Sequence, residues 1–227
     1  MKRIRSSFYG DIHIIKNDKS ISSWIEKGYI WEKESVYKAF KDWYKGGNVI
    51  DCGSFIGLHS IAFQKHMRGD AICHAFEPNH QIYDILNLNV RPYDNIRAHH
   101  MALGSKKEIK YIKSNNIFTM DNPGGSSTTH DKLGSPVLSV TLDSLNIPNV
   151  GFVKVDVEGD EWEVLLGAKK TLTTYHPPLV CEILGGIDKK NYTPDDQEYA
   201  SSIIDAIGDM GYSKWKYISP HDVLFIH

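Results

Sequence analysis

From position 48 onward, short apolar blocks alternate with segments in which apolar residues recur at helical spacing. Strands are predicted at 48–52, from Ala71 to Glu77, near 96–101, from Phe152 to Val157 and from Leu179 to Leu184. Their near-continuous apolar character is what a parallel sheet covered on both faces requires. Helices are predicted between them: about 57–67, after Pro78-Asn79 through Ile82, Ile85, Leu86 and Leu88, about Asp160 to Ala168, and about 196–210. Trp215 to Ile218 and Val223 to Ile226, around Ser219-Pro220-His221-Asp222, read as a hairpin. Strand-helix alternation closed by a hairpin predicts an α/β fold, a doubly wound, mostly parallel sheet with a C-terminal antiparallel hairpin.

Residues 1–47 lack that alternation. Ile21, Trp24 and Ile25, then Trp31, Val36, Tyr37, Phe40, Trp43 and Tyr44, predict two short amphipathic helices at about 20–27 and 33–45, broken at Gly28. This piece is expected to be an N-terminal helical extension or lid on a domain of residues 48–227. Lys2, Arg3 and Arg5 read as a solvated basic terminus. Between 105 and 140, strand candidates at Glu108 to Lys113 and Val137 to Thr141 flank a long polar loop around Asp121 to His130. Loops of that length are often functional.

The candidate chemistry sits where strands end. Val49-Ile50-Asp51-Cys52-Gly53-Ser54-Phe55-Ile56-Gly57 is a strand breaking into a glycine turn and a helix, and the next strand ends in Phe76-Glu77-Pro78-Asn79. This layout builds a nucleotide pocket in a doubly wound sheet, with the Glu77 carboxylate offering acceptors to a ribose diol. The spacing D-x-G-x-x-x-G departs from the G-x-G-x-x-G dinucleotide fingerprint. Asp51 would repel a pyrophosphate and suits a cation, which favours S-adenosylmethionine (SAM) with its sulfonium and ammonium. An NAD(P)-dependent oxidoreductase is the disfavoured alternative.

Bulk properties narrow the field further. A formal net charge of −2 and a pI near 6.6 speak against nucleic-acid binding, which wants a basic face. Cys52, Cys73 and Cys181 fall in predicted buried strands, far apart and odd in number, as in a reduced compartment. With no signal-peptide pattern and no apolar run of membrane length, no membrane span is expected and the location is predicted to be cytoplasmic.

Several segments resemble, in order, the motifs of FkbM-type SAM-dependent methyltransferases. The glycine turn is similar to V-L-D-V-G-A-N-I-G, with Phe55 where that family commonly has Asn. Ala75-Phe76-Glu77-Pro78-Asn79 and Ala102-Leu103-Gly104 resemble its second and third motifs, and Val140-Thr141-Leu142-Asp143-Ser144-Leu145 the segment before strand four. Val153-Lys154-Val155-Asp156-Val157-Glu158-Gly159-Asp160-Glu161 resembles I-K-I-D-V-E-G-x-E, and Pro178 to Ile183 its fifth strand. The resemblance covers about 48–185 and implies a seven-stranded class I sheet and methyl transfer to a hydroxyl of a sugar, glycan or related small molecule. It implies that Asp51, Gly53, Ser54, Phe55 and Gly57 lie beside the methionine part of SAM. Glu77, Pro78, Asn79 and Ala102 would lie beside the ribose and adenine.

Lys154 and Asp156, two apart on a strand, leave it on the same face, where burial is costly unless they pair or function. Asp156 is expected to be the catalytic base or orienter and to border SAM, with Lys154 and Glu182 in support. His130, His99, His100, His59 and His176 are alternative bases. Asn79 serves equally as a helix N-cap, and Asp51 as a structural strand-end carboxylate. His176-Pro177-Pro178-Leu179 resembles the N-P-P-Y type of motif, but lies before strand five and reads as a helix stop. A SAM-binding module without catalysis is the other rival, because of Phe55.

Overall fold

In the computed structural model, which describes residues 1–112, 116–125, 127–129, 132, 134–183 and 193–227, the chain opens with an antiparallel hairpin of Lys2–Ser6 (β1) and Gly10–Ile14 (β2). Lys2, Arg3 and Arg5 are solvated as expected, but on a paired strand rather than a free tail. Ile12 and Ile14 alternate into the core, while Lys2 and Arg3 bridge outward to Glu26 and Asp11. Ile21–Glu26 (α1) follows, and a π-helical turn at Lys33–Tyr37 runs into Lys38–Trp43 (α2), close to the two helices expected. This segment belongs to the main core. Phe40 stacks on Phe63 at 4.4 Å between ring centres and meets the edge of Phe152 at 4.9 Å.

The remaining elements run in the predicted alternation: Asn48–Cys52 (β3), Leu58–Gln64 (α3), Cys73–Phe76 (β4), His80–Val90 (α4) and Ile96–His99 (β5). Ala102–Leu103 (β6), Glu108–Ile112 (β7), Thr128–Thr129 (β8) and Ser135–Val140 (β9) form a separate small sheet in the order β6-β9-β7-β8. Val150–Val155 (β10), Glu161–Gly167 (α5), Lys169–Tyr175 (α6), Leu179–Glu182 (β11), Pro194–Asp209 (α7), Lys214–Tyr217 (β12) and Asp222–Ile226 (β13) complete the chain. The helix expected at about 160–168 is α5, and a second, unexpected helix, α6, follows it directly and stops at His176, whose φ of 43° ends it before the two prolines.

The large sheet has seven strands in the order β12-β13-β11-β10-β3-β4-β5, all parallel except β13, which runs against both neighbours. Its apolar runs sort by period two. Val49, Ala75, Phe152, Val180 and Leu224 pack under α3, α4 and the N-terminal segment, while Ile50, Phe76, Val153, Cys181 and Phe225 pack under α5 to α7. Cys52, Cys73 and Cys181 are buried and free. The chain enters at β3 and builds outward in both directions, so strand order reverses between β3 and β10. At such a switch point the carboxyl ends of the strands leave a crevice.

Candidate functional site

A cleft opens at that switch point, with about 720 Å³ of empty space counted out to solvent. Its floor is Gly53, at the end of β3. A Cβ there would stand 1.7 Å from the Asp156 carbonyl oxygen, and φ is +75°, so only glycine lets the two strand ends pass. Phe55, two residues on, also has a left-handed φ of 49° and lines the cleft. Asn adopts that conformation with less strain than an aromatic residue does, which accounts physically for Asn at this place in the resembling motif. Gly57 does not border the cleft. It starts α3, and a Cβ there would come within 2.8 Å of Leu86 on α4, so it serves helix packing.

Glu77, at the end of β4, is buried on the cleft wall. Its Oε2 accepts from the Phe55 N–H at 3.1 Å and its Oε1 from the Asn79 N–H at 2.8 Å. Burial pushes its pKa up to about 8, against the pull of those two donors. Each oxygen keeps a further lone pair for a ligand hydroxyl. Pro78 and Ala102 are on the wall with Phe76, Ile82, Met101 and Leu103, which form an apolar slot. Asn79 is not on it; its side chain caps α4 by accepting from the Gln81 N–H at 3.0 Å.

Lys154 and Asp156 share a face as expected, 2.9 Å apart, and Asp156 reaches the cleft while Lys154 stays buried beneath it. Asp51 departs from its expected place. It lies directly across from Lys154 in the β3–β10 register, is fully buried, accepts from Ser60 Oγ on α3, and stands 3.7 Å from Lys154 Nζ. Its carboxylate therefore neutralises Lys154 and does not line the cleft. Burial disfavours the Lys154 charge, but Asp156 and Asp51 outweigh it and raise its pKa. Burial would raise Asp156 too, yet the Lys154 charge and hydrogen bond hold it below its usual value. Glu182 is off the cleft wall and hydrogen-bonds Asp156. Burial, then Asp156, Glu158 and Glu161, raise the Glu182 pKa, so Glu182 is the protonated donor of that pair.

The side of the cleft facing the small sheet was least legible from sequence. Glu158, with a φ of 57°, and Asp160 line it together with Thr128. Asp160 accepts from buried Lys110 on β7 at 2.9 Å and from Thr128, which ties the small sheet to the turn after β10. Burial, then Asp156 and Glu161, push Glu158 up to about 7. A smaller cavity adjoins the first. It shares Ile21, Gly53, Phe55 and Asp156 with it and adds Trp31, Ser54, Leu58, His59 and Lys154.

Of the other histidines, His99 stacks on Phe76 and His74, His100 contacts the Pro78 carbonyl, and His176 meets His227 with the rings tilted at 43°. His130 lies outside the described residues. Among the described residues no group of three or more His, Cys, Asp or Glu side chains is arranged to hold a metal ion. No helix among them is long and apolar enough to cross a membrane.

The donor set fits an adenosyl ligand better than a pyrophosphate. An apolar slot ends at a buried carboxylate suited to a diol, the glycine floor excludes any side chain, and carboxylates border the far end. The fold and cleft together define a Rossmann-like, SAM-methyltransferase type of domain. Residues 51–214 match the model of the methyltransferase FkbM domain, more than half of the chain, and the chain belongs to the FkbM methyltransferase family. Hexuronic acid methyltransferase AglP of Haloferax volcanii is 32% identical over 149 residues, 63% of this chain and 58% of that protein. The chain thus spans less than two thirds of that curated relative.

Among solved structures, methyltransferase FkbM from Methylobacillus flagellatus KT aligns with a TM-score of 0.57 at 16% identity, over 80% of this chain and 44% of that one. Aeropyrum pernix fibrillarin, crystallised with natively bound S-adenosyl-L-methionine, aligns at 0.51 and 10% identity, over 84% and 76%. A SAM-dependent methyltransferase from Aquifex aeolicus aligns at 0.50 and 11% identity, over 90% and 96%. At these identities the structures speak for the fold.

Proposed function

We propose that the protein is a SAM-dependent O-methyltransferase that methylates a hydroxyl of a sugar or glycan. The observation that carries this reading is buried Glu77 at the end of β4, hydrogen-bonded to the backbone of the glycine turn and facing an apolar slot. Glu77 would hold the ribose diol, Phe76, Ile82, Met101 and Ala102 the adenine, and Gly53 and Phe55 the methionine part. When bound, SAM supplies an electrophilic methyl group on a cationic sulfur. Asp156 stands at the strand end, fixed by Lys154 and Glu182, where a carboxylate would orient the acceptor. Its lowered pKa suits orientation better than proton capture.

The sugar class is supported by the relative named as a hexuronic acid methyltransferase. Residues 1–47 would act as a cover over a domain of residues 48–227, since Ile21 of this segment lines the cleft and Trp31 the smaller cavity beside it. The three free, buried cysteines fit a reducing compartment such as the cytoplasm.

Methyl-labelled SAM offered with a panel of methyl glycosides, neutral hexosides and hexuronides, tests the reading. Label appearing as a sugar methyl ether supports it. Binding of SAM without transfer to any glycoside would refute the acceptor class.

A further inference from the structure

The smaller cavity contains chemistry that the donor site does not use. His59, on the first turn of α3, is nearly buried, and its Nε2 lies 2.9 Å from Glu32 Oε2. An ionised carboxylate only accepts, so Nε2 carries the hydrogen, and in the neutral ring Nδ1 keeps a lone pair. Nδ1 makes no hydrogen bond to a described residue. His59 lines the smaller cavity beside Asp156 and Lys154.

The ring is held as well as polarised. It stacks on Phe63 at 5.7 Å and 20°, and Glu32 reaches it from a backbone at φ 45°, an uncommon conformation for a residue that is not glycine. Two elements far apart in sequence thus meet at one imidazole. The cavity's other polar members are Ser54, Asp156 and Lys154, and Trp31 offers an aromatic wall beside them. Glu32, Asp156 and Lys154 are the charged groups around the ring.

Resting on the methyltransferase reading above, we infer that this smaller cavity receives the acceptor hydroxyl and that His59, oriented by Glu32, takes its proton. The acceptor oxygen forms the new C–O bond while the C–S bond of the donor breaks and leaves its electron pair on sulfur. The hydroxyl proton passes to His59 Nδ1, and the resulting imidazolium is stabilised by Glu32 until solvent removes the proton. Asp156 acts beside it by orienting the hydroxyl, and its charge-neutralised setting between Lys154 and Glu182 keeps it ionised for that task. Trp31 gives a sugar ring an apolar face to lie against.

Two substitutions separate a base from a structural pin. Gln at position 59 can still donate to Glu32 from its amide but cannot take a proton. His59→Gln is therefore expected to bind S-adenosylhomocysteine within about twofold of the parent while transfer to the glycoside panel falls by about a hundredfold or more. His59→Ala should lose transfer similarly and regain part of it with added imidazole, which fits the space vacated. Glu32→Gln should fall by about tenfold. Full transfer by His59→Gln would overturn the inference and leave the methyltransferase reading standing. Loss of transfer in His59→Ala that imidazole does not restore, with ligand binding intact, would also overturn it. Failure of the unsubstituted protein to bind S-adenosylhomocysteine would instead remove the donor reading, and this inference with it.

Discussion

The backbone N–H of Phe55 donates to Glu77 Oε2 over 3.1 Å and ties the glycine turn after β3 to the end of β4. One buried carboxylate thereby braces the turn and presents acceptors to the cleft. Removing it should cost ligand affinity through both routes. Glu77→Ala is expected to weaken S-adenosylhomocysteine binding by roughly ten- to a hundredfold, the equivalent of one charged hydrogen bond of about 1.5–3 kcal/mol. Calorimetry on the two proteins checks it.

The same carboxyl group makes binding depend on pH. Its pKa of about 8 leaves it largely protonated in the free protein near neutrality. A ligand that donates two hydroxyls to it favours the ionised form, so binding should release a proton and tighten between pH 6.5 and about 8.5. Titrations in buffers of different ionisation enthalpy measure that proton.

For stability the sign is opposite. Glu77 and Glu158, at about 8 and about 7, are raised above the ordinary carboxyl value by burial, so the folded chain holds more protons than the unfolded one in that window. Their contribution is fully present below about pH 4.5 and is lost as pH rises through 7 and 8. The melting temperature of the ligand-free protein should fall from pH 6 to pH 8.5, and added S-adenosylhomocysteine should shrink the fall.

Lys154 neutralises two carboxylates from a site that is itself 2% exposed. Lys154→Met would leave Asp51 and Asp156 uncompensated, and about 3–5 kcal/mol of stability should go with it. The double variant with Asp51→Asn should recover part of that loss. A denaturant series on both single variants, the double variant and the parent reads the coupling.

At Gly53 both the conformation and the space demand glycine. Gly53→Ala would set a Cβ 1.7 Å from the Asp156 carbonyl oxygen, so β3 and β10 must part. Stability should fall by more than about 2 kcal/mol, and binding with it. Phe55→Asn, by contrast, exchanges some apolar contact for relief of a left-handed φ and should change stability by less than about 1 kcal/mol.

Much of this architecture was legible in the sequence for one reason. A strand covered on both faces reads as an unbroken apolar run, and such runs at β3, β4, β10 and β11 fixed the parallel core. The glycine turn and Glu77 were legible because their chemistry is local. Asp51 was not, since its partner Lys154 lies about a hundred residues away and meets it only through the strand register. Period two sends Asp51 to the α3 face with Val49, away from the cleft. The N-terminal hairpin is not legible in the sequence because each strand has five residues and its inward pair, Ile12 and Ile14, makes too short a pattern. The pairing of Glu32 with His59 likewise rests on how the N-terminal segment packs across α3.

Titrating the purified protein calorimetrically with SAM, S-adenosylhomocysteine and NAD(H) in parallel tests the central claim most directly. Micromolar binding of both adenosyl ligands, weakened together in Glu77→Ala, with no heat from NAD(H), is the predicted result. Binding of NAD(H), or of neither adenosyl ligand, would contradict the assignment of the cleft.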